Sequence, residues 1–200
     1  MSVQQAKIDY IVETSAQLFL DKGISSVTIK DVAAKVGVGE ATLYRYFANK
    51  QNLVVAVATH MAADVRDHFF DLSAPKAGLD KLRAFYGDFL TVYRERPDYF
   101  RFISEFDATV TPNSGLDEYE NTLLPYFDDY LAAYHLGRED GTVKEIEDVK
   151  LFYLTTTHAL MGLCKKLTLN RVVLNQDSRG EQEVQALIDV FVYRLNNLRV

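Results

Sequence analysis

One cysteine, Cys164, stands in a chain of 200 residues. It can neither close a disulfide within the chain nor build a cysteine zinc cage, and it suits a reducing compartment. No run approaches the roughly 18 consecutive apolar residues of a membrane span, so none is expected. The opening stretch MSVQQAKIDY lacks the apolar core of a secretory leader, and a cytoplasmic location is the expectation. Prolines number four and glycines ten, against many Ala, Leu, Glu and Lys. No segment alternates apolar and polar residues for long enough to build a sheet, so the chain reads as all-α. Catalytic constellations are missing too. There is no nucleophile–base pair, no phosphate loop and no metal cluster. Asp64 and His68 fall at i, i+4 but have no third ligand, and Glu105 and Asp107 cannot both face inward on one regular helix. No enzymatic activity, metal or cofactor is expected.

Positive charge is also in deficit, with a net charge of −6. It is unevenly spread. Residues 1–50 carry six basic and five acidic side chains, a balance of +1, whereas residues 51–200 carry 16 basic and 23 acidic, a balance of −7. The first fifty residues can therefore approach phosphate if their basic groups share a face. Hydrophobic residues make up 48% and charged residues 25%, which excludes bulk disorder and supports a packed core.

Helical periodicity divides the chain into about nine helices. The first covers about residues 4–22, with Ile8, Ile11, Val12, Ser15, Ala16 and Phe19 as its inner stripe and Gly23 as its stop. Thr28 can cap the second helix and Asp31 can complete a capping box. Ile29, Val32, Ala33 and Val36 give that helix one buried face, and Gly37 ends it. A third short helix covers residues 40–47, and Asn49 can cap a fourth that runs to about residue 71. Ser73-Ala74-Pro75 breaks the chain. Further helices are expected at about 78–96, 98–107, 116–136, 144–169 and 181–198, with loops at Thr111-Pro112-Asn113-Ser114-Gly115 and from Gly137 to Gly141. The domain boundary is placed near Lys50, giving units 1–50 and 51–200.

Two short helices joined by Gly37-Val38-Gly39 form a helix-turn-helix. Leu43 and Phe47, at i, i+4, can be the buried side of its second helix. Thr42, Tyr44, Arg45 and Tyr46 are then free to offer hydroxyls and a guanidinium, the groups that bond phosphate oxygens and base edges. Lys50, at the start of the fourth helix, can face a phosphate together with free backbone amides. The same aromatics also suit an ordinary core edge, and Lys30 and Arg45 also suit a solvated face.

The run from Thr28 to Lys50, with "T-I-x-D-V-A" followed by "T-L-Y-x-Y-F-x-x-K", resembles the N-terminal domain of the tetracycline-repressor (TetR) family of transcriptional regulators. The resemblance covers about residues 7–55; the rest matches in length and helical order. It implies an N-terminal three-helix helix-turn-helix domain that binds double-stranded operator DNA, followed by a helical ligand-binding and dimerisation domain. It places Thr28, Thr42, Tyr44, Tyr46 and Lys50 where the family contacts phosphates, and Lys30 and Arg45 where it often reads bases. Gly39 stands where the family commonly has serine, and Glu40 and Ala41 replace a pair that often contains glycine. The reading is of a repressor released by a small molecule; a helical sensor or adaptor that does not bind DNA is the alternative.

Residues 51–200 hold 19 of the 24 Tyr and Phe residues. Tyr86, Tyr93, Phe102, Phe106, Tyr126, Tyr130 and Tyr153 suit an ordinary core and His158, turned inward, a satisfied core histidine; the resemblance implies instead that they line an aromatic effector pocket. In an acidic domain such a pocket favours a lipophilic neutral or cationic molecule. On the last helix Val184, Leu187, Ile188, Phe191, Val192, Leu195 and Leu198 form a broad stripe. On the helix before it Leu151, Leu154, His158 and Met161 flank the small Gly162. These two helices either cover the chain's own core or meet their copies in a four-helix homodimer interface, which the resemblance implies.

Overall fold

The computed structural model describes residues 2–71, 73, 77–111, 115–169 and 179–197. The expectations for Ala74, Pro75, residues 112–114 and Leu198 lie outside the described residues. Nine α-helices are found among those described: α1 (Val3–Lys22), α2 (Ile29–Val36), α3 (Glu40–Phe47), α4 (Lys50–Phe69), α5 (Gly78–Glu95), α6 (Pro97–Thr109), α7 (Asp117–Glu139), α8 (Val149–Thr168) and α9 (Gly180–Leu195). The pairing of Val143 with Asn196 is an isolated β-bridge. The fold is all-α.

Two compact units result, one made of residues 1–64 with 101–123 and the other of 65–100 with 124–200. The boundary expected near Lys50 falls at the first residue of α4, inside the first unit. In that unit α1 packs on α2 and α2 on α3. The stripe of α1 is buried at Ile11, Val12, Ser15, Ala16 and Phe19, and the Ser15 hydroxyl donates to the Ile11 carbonyl at 2.6 Å, so its polarity costs little inside.

In the second unit α9 packs on α5 and α8. Leu79, Leu82, Phe85, Tyr86 and Phe89 of α5 are buried. Ala77 offers no capping side chain, and α5 borrows its cap from farther along the chain. Asp140 accepts from the Gly78 N–H at 2.8 Å and the Thr142 hydroxyl accepts from the Leu79 N–H at 3.2 Å. Gly137, expected in a loop, lies inside α7 and is buried. It and Gly78 let two backbones meet: a Cβ on Gly78 would run into the Gly137 backbone. α8 starts at Val149 rather than near residue 144, because Asp148 caps it by accepting from the Leu151 N–H at 2.8 Å. The residues before it are extended and tied to the end of α9, the Lys144 N–H donating to the Leu195 carbonyl at 2.7 Å.

Candidate nucleic-acid interface

The helix-turn-helix is assembled from local signals. Thr28 caps α2 and forms the full capping box: its hydroxyl accepts from the Asp31 N–H at 3.1 Å and the Asp31 carboxylate accepts from the Thr28 N–H at 2.8 Å. The same hydroxyl donates to Asp31 at 2.6 Å, and these bonds hold the Asp31 carboxyl below its ordinary range. Gly37 has φ 78° and closes α2 with its N–H on the Ala33 carbonyl, a conformation that favours glycine. Gly39 caps α3 without a side-chain bond. Leu43 and Phe47 of α3 are buried against Ile29, Val32, Ala33 and Val36 of α2, as the i, i+4 spacing predicts.

What remains outside is a mixed polar face. Lys30, Tyr44 and Arg45 are exposed, Tyr44 by 49%, while Thr42 and Tyr46 are half-buried. The Arg45 guanidinium lies 5.2 Å from the centre of the Tyr46 ring, a separation at which cation and ring attract. Thr28 is exposed but its hydroxyl is engaged by the cap. Lys50 is placed differently from the simple expectation. Its ammonium donates to the Ile24 carbonyl at 2.5 Å, and partial burial lowers its pKa. An ammonium carries three donors, so two N–H groups remain beyond this bond.

Glu105, weighed in the sequence only as half of a carboxylate pair, completes this region. The Ile24 N–H donates to the Glu105 carboxylate at 2.6 Å, from α6. The main chain is thus held on both sides of Ile24, the peptide before it by Glu105 and the peptide after it by Lys50. The partners lie 81 and 26 residues away, and no local spacing signals them.

The expected aromatic pocket is not brought together. Phe102 and Phe106 lie in the first unit, where Phe102 sits 6.5 Å from Phe19 and Phe106 5.0 Å from Tyr119, ring to ring. In the second unit the aromatics fill space rather than line it. Tyr86 and Tyr130 are wholly buried with their hydroxyls 2.9 Å apart, and Tyr86 also shares a 2.9 Å hydrogen bond with Thr156. Burial pushes the Tyr86 phenol up to about 12 and raises those of Tyr130 and Tyr153 further. Tyr153 packs on Phe85, Phe127 and Tyr130, and Tyr126 packs on Phe70 at 4.9 Å. Tyr93 is half-buried with its hydroxyl against Gly180. His158 is exposed, not inward, because α8 turns Thr156, Thr157, Leu160 and Cys164 to the core instead. A cavity of about 470 Å³ opens elsewhere in the second unit. Phe70, Ala132, Ala133 and Leu136 form its apolar wall, with Arg66, Asp71, Ser73, Lys81 and Asp129 as its polar groups. Arg66 donates to Asp129 at 3.0 Å. Asp71 accepts from the Ser73 N–H at 2.9 Å and is held below its ordinary range by that bond, with Lys81 assisting.

The proposed α9 stripe also divides. Val184, Ile188, Val192 and Leu195 are buried in the chain's own core, and the Phe191 ring lies 5.5 Å from Tyr86. The exposed apolar residues on α9 are Val190, 61%, and Tyr193, 78%; on α8 they are Leu151, 61%, and Leu154, 37%. No group of three His, Cys, Asp or Glu among the described residues could hold a metal. No helix among them is long and apolar enough to cross a membrane.

Residues 11–57, which include the whole α2–turn–α3 unit, match the family described as bacterial regulatory proteins, tetR family. Within that stretch the chain is similar to the N-terminal domain of the TetR family. A curated relative, the uncharacterised HTH-type transcriptional regulator YvkB of Bacillus subtilis, is 39% identical over 54 residues, 27% of this chain and 29% of that protein. The matched stretch thus spans about three tenths of the relative's length. Beyond it the family likeness is one of fold. A regulator from Saccharomonospora viridis solved in complex with choline superposes with a TM-score of 0.75, at 16% identity, over 98% of this chain and 100% of that one. AibR, solved with isovaleryl coenzyme A and operator DNA, superposes with a TM-score of 0.60, at 19% identity, over 92% and 97%.

Proposed function

We propose that this protein is a DNA-binding transcriptional regulator of the TetR family, a repressor that a small molecule releases from its operator. The observation that carries the reading is the exposed face of α3 and its surroundings, where Tyr44, Arg45 and Lys30 face outward on a helix-turn-helix whose inner side is buried at Leu43 and Phe47. In this reading Thr42, Tyr44, Tyr46 and the two spare N–H groups of Lys50 bind phosphates and fix the register. Lys30 and Arg45 read base edges in the major groove. Gly39 leaves the α3 N-terminus bare, so its free amides can approach the backbone of the duplex. Thr28 serves the interface by ordering α2.

The protein acts as a homodimer through α8 and α9, since a two-fold pair of recognition helices needs two adjacent grooves. Leu151 and Leu154 on α8, with Val190 and Tyr193 on α9, supply the apolar contact. The effector enters the cavity beside Phe70. Its charged groups cancel locally, Arg66 on Asp129 and Lys81 near Asp71, so a lipophilic neutral molecule pays the least desolvation. A cationic molecule is accommodated if it takes Asp129 from Arg66. Arg66 belongs to α4, whose first residue, Lys50, holds Ile24. An effector that displaces the Arg66–Asp129 pair therefore shifts α4 and the recognition helices with it.

Sequencing of genomic fragments retained by the purified protein tests the DNA reading, with enrichment of a two-fold symmetric site as the expected outcome. Retention of fragments without any shared site would refute it. Effector titration by calorimetry, with and without that site, tests release: by linkage the DNA must weaken effector binding by the same factor. A polyanionic effector would overturn the cavity chemistry argued above.

A further inference from the structure

The five residues from Gly23 to Val27 connect α1 to the helix-turn-helix, and their geometry is set by very few bonds. Gly23 ends α1 with φ 83°, a conformation that favours glycine, and its N–H donates to the Phe19 carbonyl. Ile24 and Val27 anchor their side chains, 2% and 1% exposed. Both backbone polar groups of Ile24 are then held by side chains of other helices, its N–H by Glu105 of α6 and its carbonyl by Lys50 of α4. Glu105 is fitted closely: a Cβ on Gly23 would lie 3.0 Å from its carboxylate. α2 and α3 have eight residues each and are too short to hold a pose alone. Their direction is inherited from the packing on α1 and from this connection.

We propose that Glu105 is a positioning residue for DNA recognition. Its carboxylate fixes the Ile24 peptide, and the fixed peptide sets the pose in which Lys50 and α3 meet the duplex. Glu105 itself touches no DNA in this scheme. Base edges demand a register of a few tenths of an ångström, whereas phosphates accept a looser pose. Loss of the carboxylate therefore costs specific binding more than non-specific binding. α6 thereby becomes a second helix, besides α4, through which DNA affinity can be set. The proposal rests on the DNA-binding reading above.

The experiment compares wild type with Glu105→Ala, Glu105→Asp and Glu105→Gln. The selected site and unrelated duplex of equal length are the two probes, and circular dichroism checks each fold. Glu105→Ala and Glu105→Asp, the latter keeping the charge but one methylene too short, should lose about tenfold in the ratio of specific to non-specific affinity. Glu105→Gln keeps the reach and an accepting oxygen and should restore most of it. The Ile24 amide, followed by NMR hydrogen exchange without DNA, should be protected in wild type and Glu105→Gln and unprotected in Glu105→Asp. Should Glu105→Ala fail to fold, the Asp and Gln pair decides alone. Equal ratios in folded Glu105→Asp and wild type would overturn the proposal, as would an Ile24 amide equally protected in both. A wild type that selects no site would instead sink the DNA-binding reading, a result distinct from a wild type that selects one and does not need Glu105.

Discussion

Tyr44 and Arg45 are neighbours on α3, and the proposed function gives them different roles on a duplex. A tyrosine hydroxyl on a phosphate carries no base information, so Tyr44→Ala should weaken binding to all sequences by a similar factor. Arg45→Ala should relax preference at one base pair and cost about 1–3 kcal/mol there, as a lost bidentate contact does. Competition binding against single-base variants of the selected site separates the two. Uniform loss for Arg45→Ala would move it to the phosphate group. At this scale the sequence was legible wherever the signal was local. Leu43, Phe47, Thr28 and Asp31 all sit as their spacing implies. His158 did not, and the reason is chemical. On α8 the inward residues include Thr156 and Thr157, whose hydroxyls donate to the Phe152 and Tyr153 carbonyls at 2.8 and 2.7 Å. Such threonines are polar by name but can be buried, because the helix backbone and, for Thr156, the Tyr86 hydroxyl satisfy them. Hydrophobicity alone therefore turns the helix the wrong way and puts His158 inside.

Helix α2 owes its start to a cap that titrates. The Asp31 carboxyl is held below its ordinary value of 3.8, chiefly by the Thr28 hydroxyl and then by the Thr28 N–H. A depressed folded pKa means that the stabilisation is present above the ordinary value and is lost as pH falls through the lower folded one. Urea melts between about pH 5 and about pH 2 should therefore converge for wild type and Asp31→Asn at the acid end. Thr28→Ala should cost about 1 kcal/mol at neutral pH. A pH-independent gap between wild type and Asp31→Asn would exclude the cap as its cause. Helix ends at Gly23, Gly37 and Asn49 were legible because each uses a local device, Asn49 accepting from the Asn52 N–H at 2.9 Å. Gly137 was not, since a glycine used for close helix approach has the same letter as one used for a turn. Gly78→Ala should accordingly destabilise by about 3 kcal/mol or more, because the obstacle is backbone and no rotamer relieves it. Thermal denaturation with wild-type stability would show that α5 can shift freely there.

For the whole molecule, the division of α9 into a buried and an exposed side fixes which substitution tests assembly. Phe191 lies against Tyr86, so a charge placed there attacks the protein's own core. Tyr193 is the proper site, being 78% exposed. Sedimentation should find wild type at twice the 22.7 kDa chain mass and folded Tyr193→Glu near the single mass, at micromolar concentration. A wild type that sediments at the single mass would refute the dimer. The aromatic richness of residues 51–200 was legible as core but not as pocket. A sequence lists which rings are present, and only their mutual packing at 5–6 Å decides whether they enclose a space or fill it.

The bond between Ile24 and Glu105 and the bridge between Val143 and Asn196 also impose an order on biosynthesis. A nascent chain presents its residues one at a time, amino end first. The α1–α2–α3 segment can coil as soon as it emerges, because its capping and packing are near in sequence. It cannot take its final bearing until α6 has left the ribosome. The second unit waits longer still, since Val143 and Leu195, both fully shielded in the finished fold, stay uncovered until the ninth helix is out. The α1–α2–α3 segment is thus translated first and aligned later, and a stalled or shortened product would carry α3 without the bearing that the whole chain gives it.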